Sequence, residues 1–491
     1  MKSVHLAIDL GAGSGRILAG IFENETLRLE EVHRFENPGT HLPGGLFWNI
    51  LGLYRDILEG LRLAAKTYGD SIKSAGIDTW AVDYGLLDEK GRLLGFPHQY
   101  RDPRTTGMEK RADELIGNQK IYETTGIMPF FLNTSLQLLS EAETDATSLR
   151  EARQFLMIPD LLAYWLTGKT SVELTNASTT QLYNPVTRDW AWEVIEGLGL
   201  PRRIFGKIVP PGTLLGNLRP EVIETVRQDF PIVATTSHDT AAAVAGIPGE
   251  GKYAFISSGT WAIIGTELPA PILTEEARAT GFANEQGIEG TTRFLKNISG
   301  LWLIQECKRH WNSEGEDLSY KDLASLADGA PRFTAFIDPD DPLFAAPGHM
   351  PEKVVDYCRE TNQAVPTDKG TILRICSDSI ALKHRLRFDQ LKSLTDLSLD
   401  RIHMGGGGIQ NRLLTQAICN ACGVPLFAGP IEATACGNLI TQLVALGKIP
   451  DIAAGRALLK KSLPLEAYEP LDSENWNAAF TTFQKVTSCE P

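Results

Sequence analysis

Two carboxylates in this 491-residue chain stand where short apolar runs empty into polar turns, a placement that suits acid–base and phosphate chemistry. The first is Asp9. Val4 to Ile8 is a continuous apolar segment of the kind that forms a strand buried on both faces, and Asp9 follows where that strand surfaces. Beyond it, Gly11, Gly13 and Gly15 let the backbone approach a bulky anion, so that residues Ala12 to Arg16 form a turn rich in N–H groups with one guanidinium added. The second is Asp239. Pro231 to Thr236 reads as a returning strand, Ser237-His238-Asp239-Thr240 as its polar exit, and Ala241 to Ala245 as the helix that follows. A carboxylate there caps the helix or, if it faces the same ligand as Asp9, acts as a general base.

The spacing opposes two common phosphate loops. A dinucleotide site needs G-x-G-x-x-G opening a helix, whereas here the glycines alternate and a second apolar run, Ile17 to Phe22, comes next, followed by a turn at Asn24-Glu25 and by Leu27, Leu29 and Val32. The order is strand, turn, strand, turn, strand. A Walker loop fails because Gly168-Lys169-Thr170 has Ala163 where the first glycine belongs. A tight hairpin without a ligand is the plain alternative, and what opposes it is a restart of the pattern. After the linker Gly246 to Gly251, Tyr253–Ile256 reads as a strand, Ser257-Ser258-Gly259-Thr260 as a small polar turn and Trp261–Gly265 as a second strand. Two such hairpins, each opening one half, imply duplicated α/β domains, residues 1–246 and 247–491, gripping one polyphosphate in a cleft between them. A third element fits the same ligand: the strand Arg401–Met404 runs into four glycines, 405–408, ahead of Ile409-Gln410-Asn411 and a helix to about Cys422, leaving bare backbone for a flat ring or a phosphate.

Other elements position these turns. Ile50, Leu53, Tyr54, Ile57, Leu58 and Leu61 make the apolar stripe of a helix over Asn49–Tyr68. A strand over 74–80, continued through 82–88, carries Asp78, Trp80 and Asp83 inside an apolar pattern, and such departures mark sites: Trp80 or Tyr84 offers a sugar a flat face and the carboxylates accept from hydroxyls. Tyr100-Arg101-Asp102-Pro103-Arg104 fits an internal ion pair as well as a ligand. Helices are expected near Ala112–Glu123, Ser135–Glu143 and Pro159–Leu166, from Asn297, Gly300 and Trp302 through Gln305 and Arg309, and along the stripe Ile372, Cys376, Ile380.

Composition bounds the class. Length calls for at least two domains, and 43% hydrophobic with 22% charged residues is ordinary globular content. A net charge of −14 without a basic block makes nucleic acid an unexpected partner. No apolar run of membrane-spanning length is present, and Asp9 within the first apolar run argues against a signal peptide, so the expected place is the cytoplasm. Seven cysteines there read as reduced thiols; whether Cys358 and Cys376 pair, and the oligomeric state, do not follow from the sequence.

Together, Asp9-Leu10-Gly11 with Ser14 and Arg16, Ser257-Ser258-Gly259-Thr260 and the glycine run before Gln410-Asn411 resemble the FGGY carbohydrate kinases, within the actin, Hsp70 and hexokinase type of ATPase. The likeness spans nearly the whole chain and is carried further by Gly76-Ile77-Asp78-Thr79-Trp80, Tyr100-Arg101-Asp102, Ser237-His238-Asp239-Thr240, Leu295-Lys296-Asn297-Ile298, Gly300-Leu301-Trp302 and Phe336-Ile337-Asp338-Pro339-Asp340-Asp341. It implies two ribonuclease-H-like domains closing on ATP, Mg²⁺ and a ketose. It also implies Asp239 as catalytic base and metal partner, Asp9 holding Mg²⁺ through water, and Ala12, Gly13, Ser14, Gly15, Arg16 and Thr260 on phosphates. Gln305 and Gly407 would meet the nucleotide, and Trp80, Ala81, Asp83, His238, Thr240 and Asn297 the sugar. Ala81 stands where related chains often have glycine and Gly13 where they often have serine. A nucleotide switch of the actin or chaperone kind would use the same grip with no sugar.

Overall fold

A computed structural model describes residues 2–487, in two compact units. One comprises Met1–Pro248, Glu267–Phe294 and Ala433–Leu463; the other comprises Gly249–Thr266, Leu295–Glu432 and Pro464–Pro491. The leading segment of the first unit ends within two residues of the boundary expected at 246/247, but two later segments fold with it. The reason for one of them is close packing of glycines. A Cβ on Gly437 would lie 1.8 Å from the Ala242 carbonyl oxygen, and one on Gly246 2.1 Å from that of Ala433, so the helices Asp239–Gly246 and Ala433–Ala445 meet backbone to backbone.

In the first unit a six-stranded sheet has the order Thr213–Asn217, Pro231–Ala234, Ile72–Thr79, Ser3–Leu10, Ser14–Glu23, Thr26–Glu36. Every residue of Ser3–Leu10 is buried, as its unbroken apolar run requires. It pairs antiparallel with Ser14–Glu23 and parallel with Ile72–Thr79, which sets Asp9 opposite Arg16 on one side and Asp78 on the other. Asn24 and Glu25 both take positive φ, 51° and 53°, the geometry a two-residue hairpin needs. The helix Ile50–Tyr68 is capped by Asn49, whose side chain accepts from Gly52 N–H, and it buries Ile50, Leu53, Ile57 and Leu61 in one stripe.

Three expectations need correction. The helix expected to begin at Asn297 starts only at Trp302, because Thr292–Ser299 is a strand. The strand expected to continue from 74 to 88 breaks: Ile72–Thr79 ends, residues 80–83 make a tight turn with Val82 at φ 67°, and Tyr84–Leu87 pairs with Gln154–Met157 instead. The helix expected over 112–123 is two, Met108–Leu115 and Asn118–Thr125, because Gly117 at φ 92° interrupts it where a helix would need φ near −60°.

The sheet of the second unit runs through Tyr253–Ser258, which pairs antiparallel with Trp261–Leu268 and parallel with Arg401–Gly405; Leu426–Ala428 and Glu466–Tyr468 continue it. Each unit's sheet therefore contains an antiparallel hairpin whose first strand also has a parallel neighbour. The long helix Lys369–Thr395 crosses this unit and buries Lys383, whose charge is met by Asp338 at 2.6 Å and Asp340 at 3.3 Å. Cys358 and Cys376 carry free thiols. Cys489 lies outside the described residues.

Candidate active site

The sheet register builds a carboxylate cluster. Asp9 is nearly buried, and Arg16 donates to its Oδ2 from Nε at 3.0 Å and Nη2 at 2.8 Å. The guanidinium expected on phosphate is thus engaged with Asp9. Across the parallel pairing, Asp78 is fully buried; its Oδ2 accepts from Asn438 Nδ2 at 2.6 Å, while Oδ1 has no partner among the described residues. Burial pushes the Asp78 carboxyl well above the usual range, the charges of Asp9 and Asp239 push it further, and the Asn438 bond opposes them. Asp78 was visible in sequence only as a polar break in a strand. Its register beside Asp9 is what makes it part of the cluster.

Asp239 is the first residue of the helix Asp239–Gly246, with His238 as the N-cap and no side-chain capping bond. The carboxylate is therefore not consumed as a cap. Its side chain is 34% exposed, and it accepts from Thr240, whose Oγ1 lies 3.1 Å away and whose backbone N–H also bonds it. Desolvation raises its pKa, His238 opposes that, and Asp9 adds to it. The loop bearing it is held by Glu173, a buried acid that sequence reasoning missed. Glu173 caps the helical turn Leu174–Ala177 and also accepts from Ser237 N–H at 3.1 Å and Ser237 Oγ at 2.7 Å. The strand edge adds a second tie, from Thr79 N–H to the Ser237 carbonyl at 2.8 Å. Asp239 is thus poised on a fixed backbone.

The phosphate turn divides its residues. Gly13 and Ser14 are exposed and Ala12 is half-buried, with Asn37 fastening the turn to the Gly13 and Gly11 carbonyls. A Cβ on Gly13 would meet nothing within 4 Å, which leaves its backbone open to a ligand. Gly15 is buried and its missing side chain makes room for Phe35, so it serves packing.

Around Trp80 one expectation is overturned. Asp83 is buried and already surrounded by donors: Trp48 Nε1 at 2.6 Å, Trp80 Nε1 at 3.0 Å and Tyr100 N–H at 3.1 Å reach Oδ2, and Gln137 Nε2 at 3.0 Å reaches Oδ1. With three protein donors on Oδ2 and one on Oδ1, the buried carboxylate is engaged by the frame, where it positions the two indoles. Burial raises its pKa to about 6, against those hydrogen bonds. The Trp80 ring lies against that of Trp48, centroids 4.0 Å apart and planes tilted by 35°. Ala81 is half-buried, and Val82, a β-branched residue at positive φ, shows strain of the sort that accumulates at ligand loops. Arg104 pairs with Glu141 at 3.0 Å, the internal reading of that loop.

In the second unit the other two turns converge on Ser258. Gly259 and Thr260 form the hairpin turn, and Leu301 and Trp302 donate to their carbonyls at 3.1 and 3.0 Å, which seats the helix Trp302–Ser313 with Gln305 in its first turn. The glycine run packs on the same residue: a Cβ on Gly406 would lie 2.6 Å from the Ser258 carbonyl, one on Gly408 2.0 Å from Ser258 Oγ, while one on Gly407 would meet nothing within 4 Å. Gly407 is the open step of that platform. Asn297 is exposed, on the strand Thr292–Ser299.

Among the described residues, the one group of three metal-binding side chains with ligand atoms within 4.8 Å of one another is His310, His349 and Glu352. Two imidazoles suit a borderline metal and not a hard cation such as Mg²⁺, and His310 already meets Glu352 at 3.1 Å. Asp9, Asp78 and Asp239 offer oxygen donors only, the kind a hard cation takes, and Asp78 Oδ1 has no partner among the described residues.

Models of the FGGY family of carbohydrate kinases match the chain, the N-terminal domain over residues 4–246 and the C-terminal domain over 254–446. The chain belongs to the FGGY family of carbohydrate kinases. It is 41% identical to rhamnulokinase from Bacteroides thetaiotaomicron over 99% of both chains, 41% to that from Oceanobacillus iheyensis (96% of this chain, 100% of that one) and 38% to that from Bacillus subtilis (98% of each). Its fold matches ligand-bound xylulose kinase from Lactobacillus acidophilus (TM-score 0.82, 15% identity, 99% of this chain and 97% of that) and Plasmodium falciparum glycerol kinase with ADP (0.81, 15%, 100% and 99%). It is a sugar kinase. Among the described residues no helix is long and apolar enough to cross a membrane.

Proposed function

We propose that the chain transfers the γ-phosphoryl group of ATP to O1 of L-rhamnulose in the cytoplasm, with residues 1–246 supplying sugar contacts and base and 247–491 the nucleotide contacts. The observation that carries the chemistry is Asp239, a carboxylate of raised basicity at a helix start that no cap consumes. The choice of ketose is supported by identity with rhamnulokinases along the whole chain.

Asp239 accepts the O1 proton as O1 bonds to the γ-phosphorus and the bond from phosphorus to the bridging oxygen of ADP breaks, a role worth about 10² to 10⁴ in rate. His238, Thr240, Trp80, Ala81 and Asn297 orient the sugar; Asp83 acts on it only by holding the indoles. Ala12, Gly13 and Ser14, with Thr260, hold phosphates through backbone and hydroxyl donors, Gly15 and Arg16 shape that turn by packing on Phe35 and pairing with Asp9, and Gln305 and Gly407 take the nucleotide. Asp9 through water, and Asp239, would hold Mg²⁺, which when bound neutralises phosphate charge.

The test is ADP release, measured over L-rhamnulose, L-fuculose, L-xylulose, D-xylulose, L-ribulose, glycerol and gluconate. L-Rhamnulose is expected to have the highest kcat/KM, with its epimer L-fuculose second. A pentulose or glycerol preferred by about tenfold or more, beyond what one pocket contact makes, refutes the substrate. Release that no acceptor stimulates favours a nucleotide switch.

A further inference from the structure

His238 is gripped from behind by an ion pair that nothing in the phosphoryl-transfer scheme uses. Its ring is almost wholly buried; Nδ1 lies 3.2 Å from Arg293 Nη2 and 3.3 Å from Glu285 Oε2, and Nε2 lies 3.5 Å from Asp239 Oδ1. Arg293 and Glu285 in turn bind each other at 2.8 Å, and Arg293 Nε donates to the Gln286 carbonyl at 3.1 Å, which fixes the pair to the backbone. The guanidinium is fully buried, with Nη1 unpartnered among the described residues. A buried pair left incompletely bonded is a poor source of stability, so its placement calls for another account. Both partners meet the same imidazole nitrogen, and this decides what the other nitrogen can do. With the Nδ1 edge occupied, the ring cannot turn, and Nε2 is presented toward the carboxylate of the base.

Resting on the kinase reading above, we infer that Glu285 and Arg293 are positioning residues: through His238 they fix the orientation of Asp239 and of the acceptor hydroxyl, and they do not themselves touch substrate. Burial would raise the Glu285 carboxyl, but Arg293 and His238 outweigh it and hold it at about 2, so the negative partner of the clamp persists across the working range.

The experiment uses Glu285→Gln, and the double variant Glu285→Leu with Arg293→Met, which removes both buried charges together and so spares folding the cost of a lone one. Each is made in wild type and in a His238→Asn background, with folding checked by circular dichroism. In the wild-type background kcat with the ketose should fall about 10- to 100-fold while KM for ATP stays within about twofold; in the His238→Asn background the same changes should cost less than about twofold more, because effects passed through one residue are not additive. Folded variants that keep wild-type kcat, or equal losses in both backgrounds, overturn the inference. A wild type that shows no ketose-dependent turnover instead removes the kinase reading on which it rests.

Discussion

Gly437→Ala tests whether the position of the base depends on packing far from any ligand. The added Cβ would start 1.8 Å from the Ala242 carbonyl oxygen, whereas Cβ atoms do not come within 3.0 Å of such a neighbour, so the two helices must part by at least about 1.2 Å. Neither contact is the end of a flexible side chain; both are backbone. Ala242 lies three residues after Asp239, and its N–H is bonded to the His238 carbonyl at 2.9 Å, so the displacement is passed to the residues that carry the base. A shift of about 1 Å in a reacting group costs roughly 10²-fold in rate. Stability moves less: overpacking costs about 1 to 3 kcal/mol, and replacing a helix-interior glycine by alanine returns roughly 0.5 to 1 kcal/mol. Stopped-flow or coupled measurement of kcat, alongside Tm by calorimetry, separates the two. Gly206→Ala, where a Cβ meets nothing within 4 Å, is the control and should leave both unchanged. A folded Gly437→Ala protein whose kcat stays within about threefold of wild type would refute the link between this contact and the base.

Asp239→Asn should fold, bind ATP and lose at least about 10² in kcat; near-normal turnover would take Asp239 out of the mechanism. Asp83→Asn should turn one of the four inward donors against an amide N–H, costing about 1 to 3 kcal/mol, and a Tm unchanged from wild type would show that the four bonds are not what holds the indoles. His5 sets a pH dependence: burial first, then Lys448 and Lys73, lower its pKa from 6.5 to about 4. The unfolded chain then takes up this proton below 6.5 and the folded one only near 4, so stability is whole above 6.5 and falls by on the order of 3 kcal/mol as pH drops through that window. In His5→Gln the decline of Tm between pH 6.5 and 4 should be shallower, and equal slopes would contradict the assignment.

What the sequence shows and what it conceals differ in range along the chain. Asp9 after its apolar run, the alternating glycines, the restart at Tyr253 and the four-glycine platform are signals written within a dozen residues, and each stands where its pattern puts it. The break at 80–83 is hidden, because nothing about Val82 announces a positive φ. Asp83 and Asp239 are indistinguishable as letters, each a carboxylate at the close of an apolar stretch. What separates them is how many donors arrive, and those come from afar: Trp48 and Gln137 reach Asp83 across 35 and 54 residues, while Ser237 finds Glu173 across 64. A carboxylate reached by four donors from distant elements becomes a fixed part of the frame, whereas one bonded only by its neighbour Thr240 and part-exposed keeps lone pairs for a proton. Local pattern therefore finds the candidates, and tertiary hydrogen bonding separates those engaged by the protein from those left open. By the same measure Glu285, engaged by Arg293 and His238, is frame, and Asp78, buried next to Asp9 in the strand register, keeps one oxygen without a partner among the described residues.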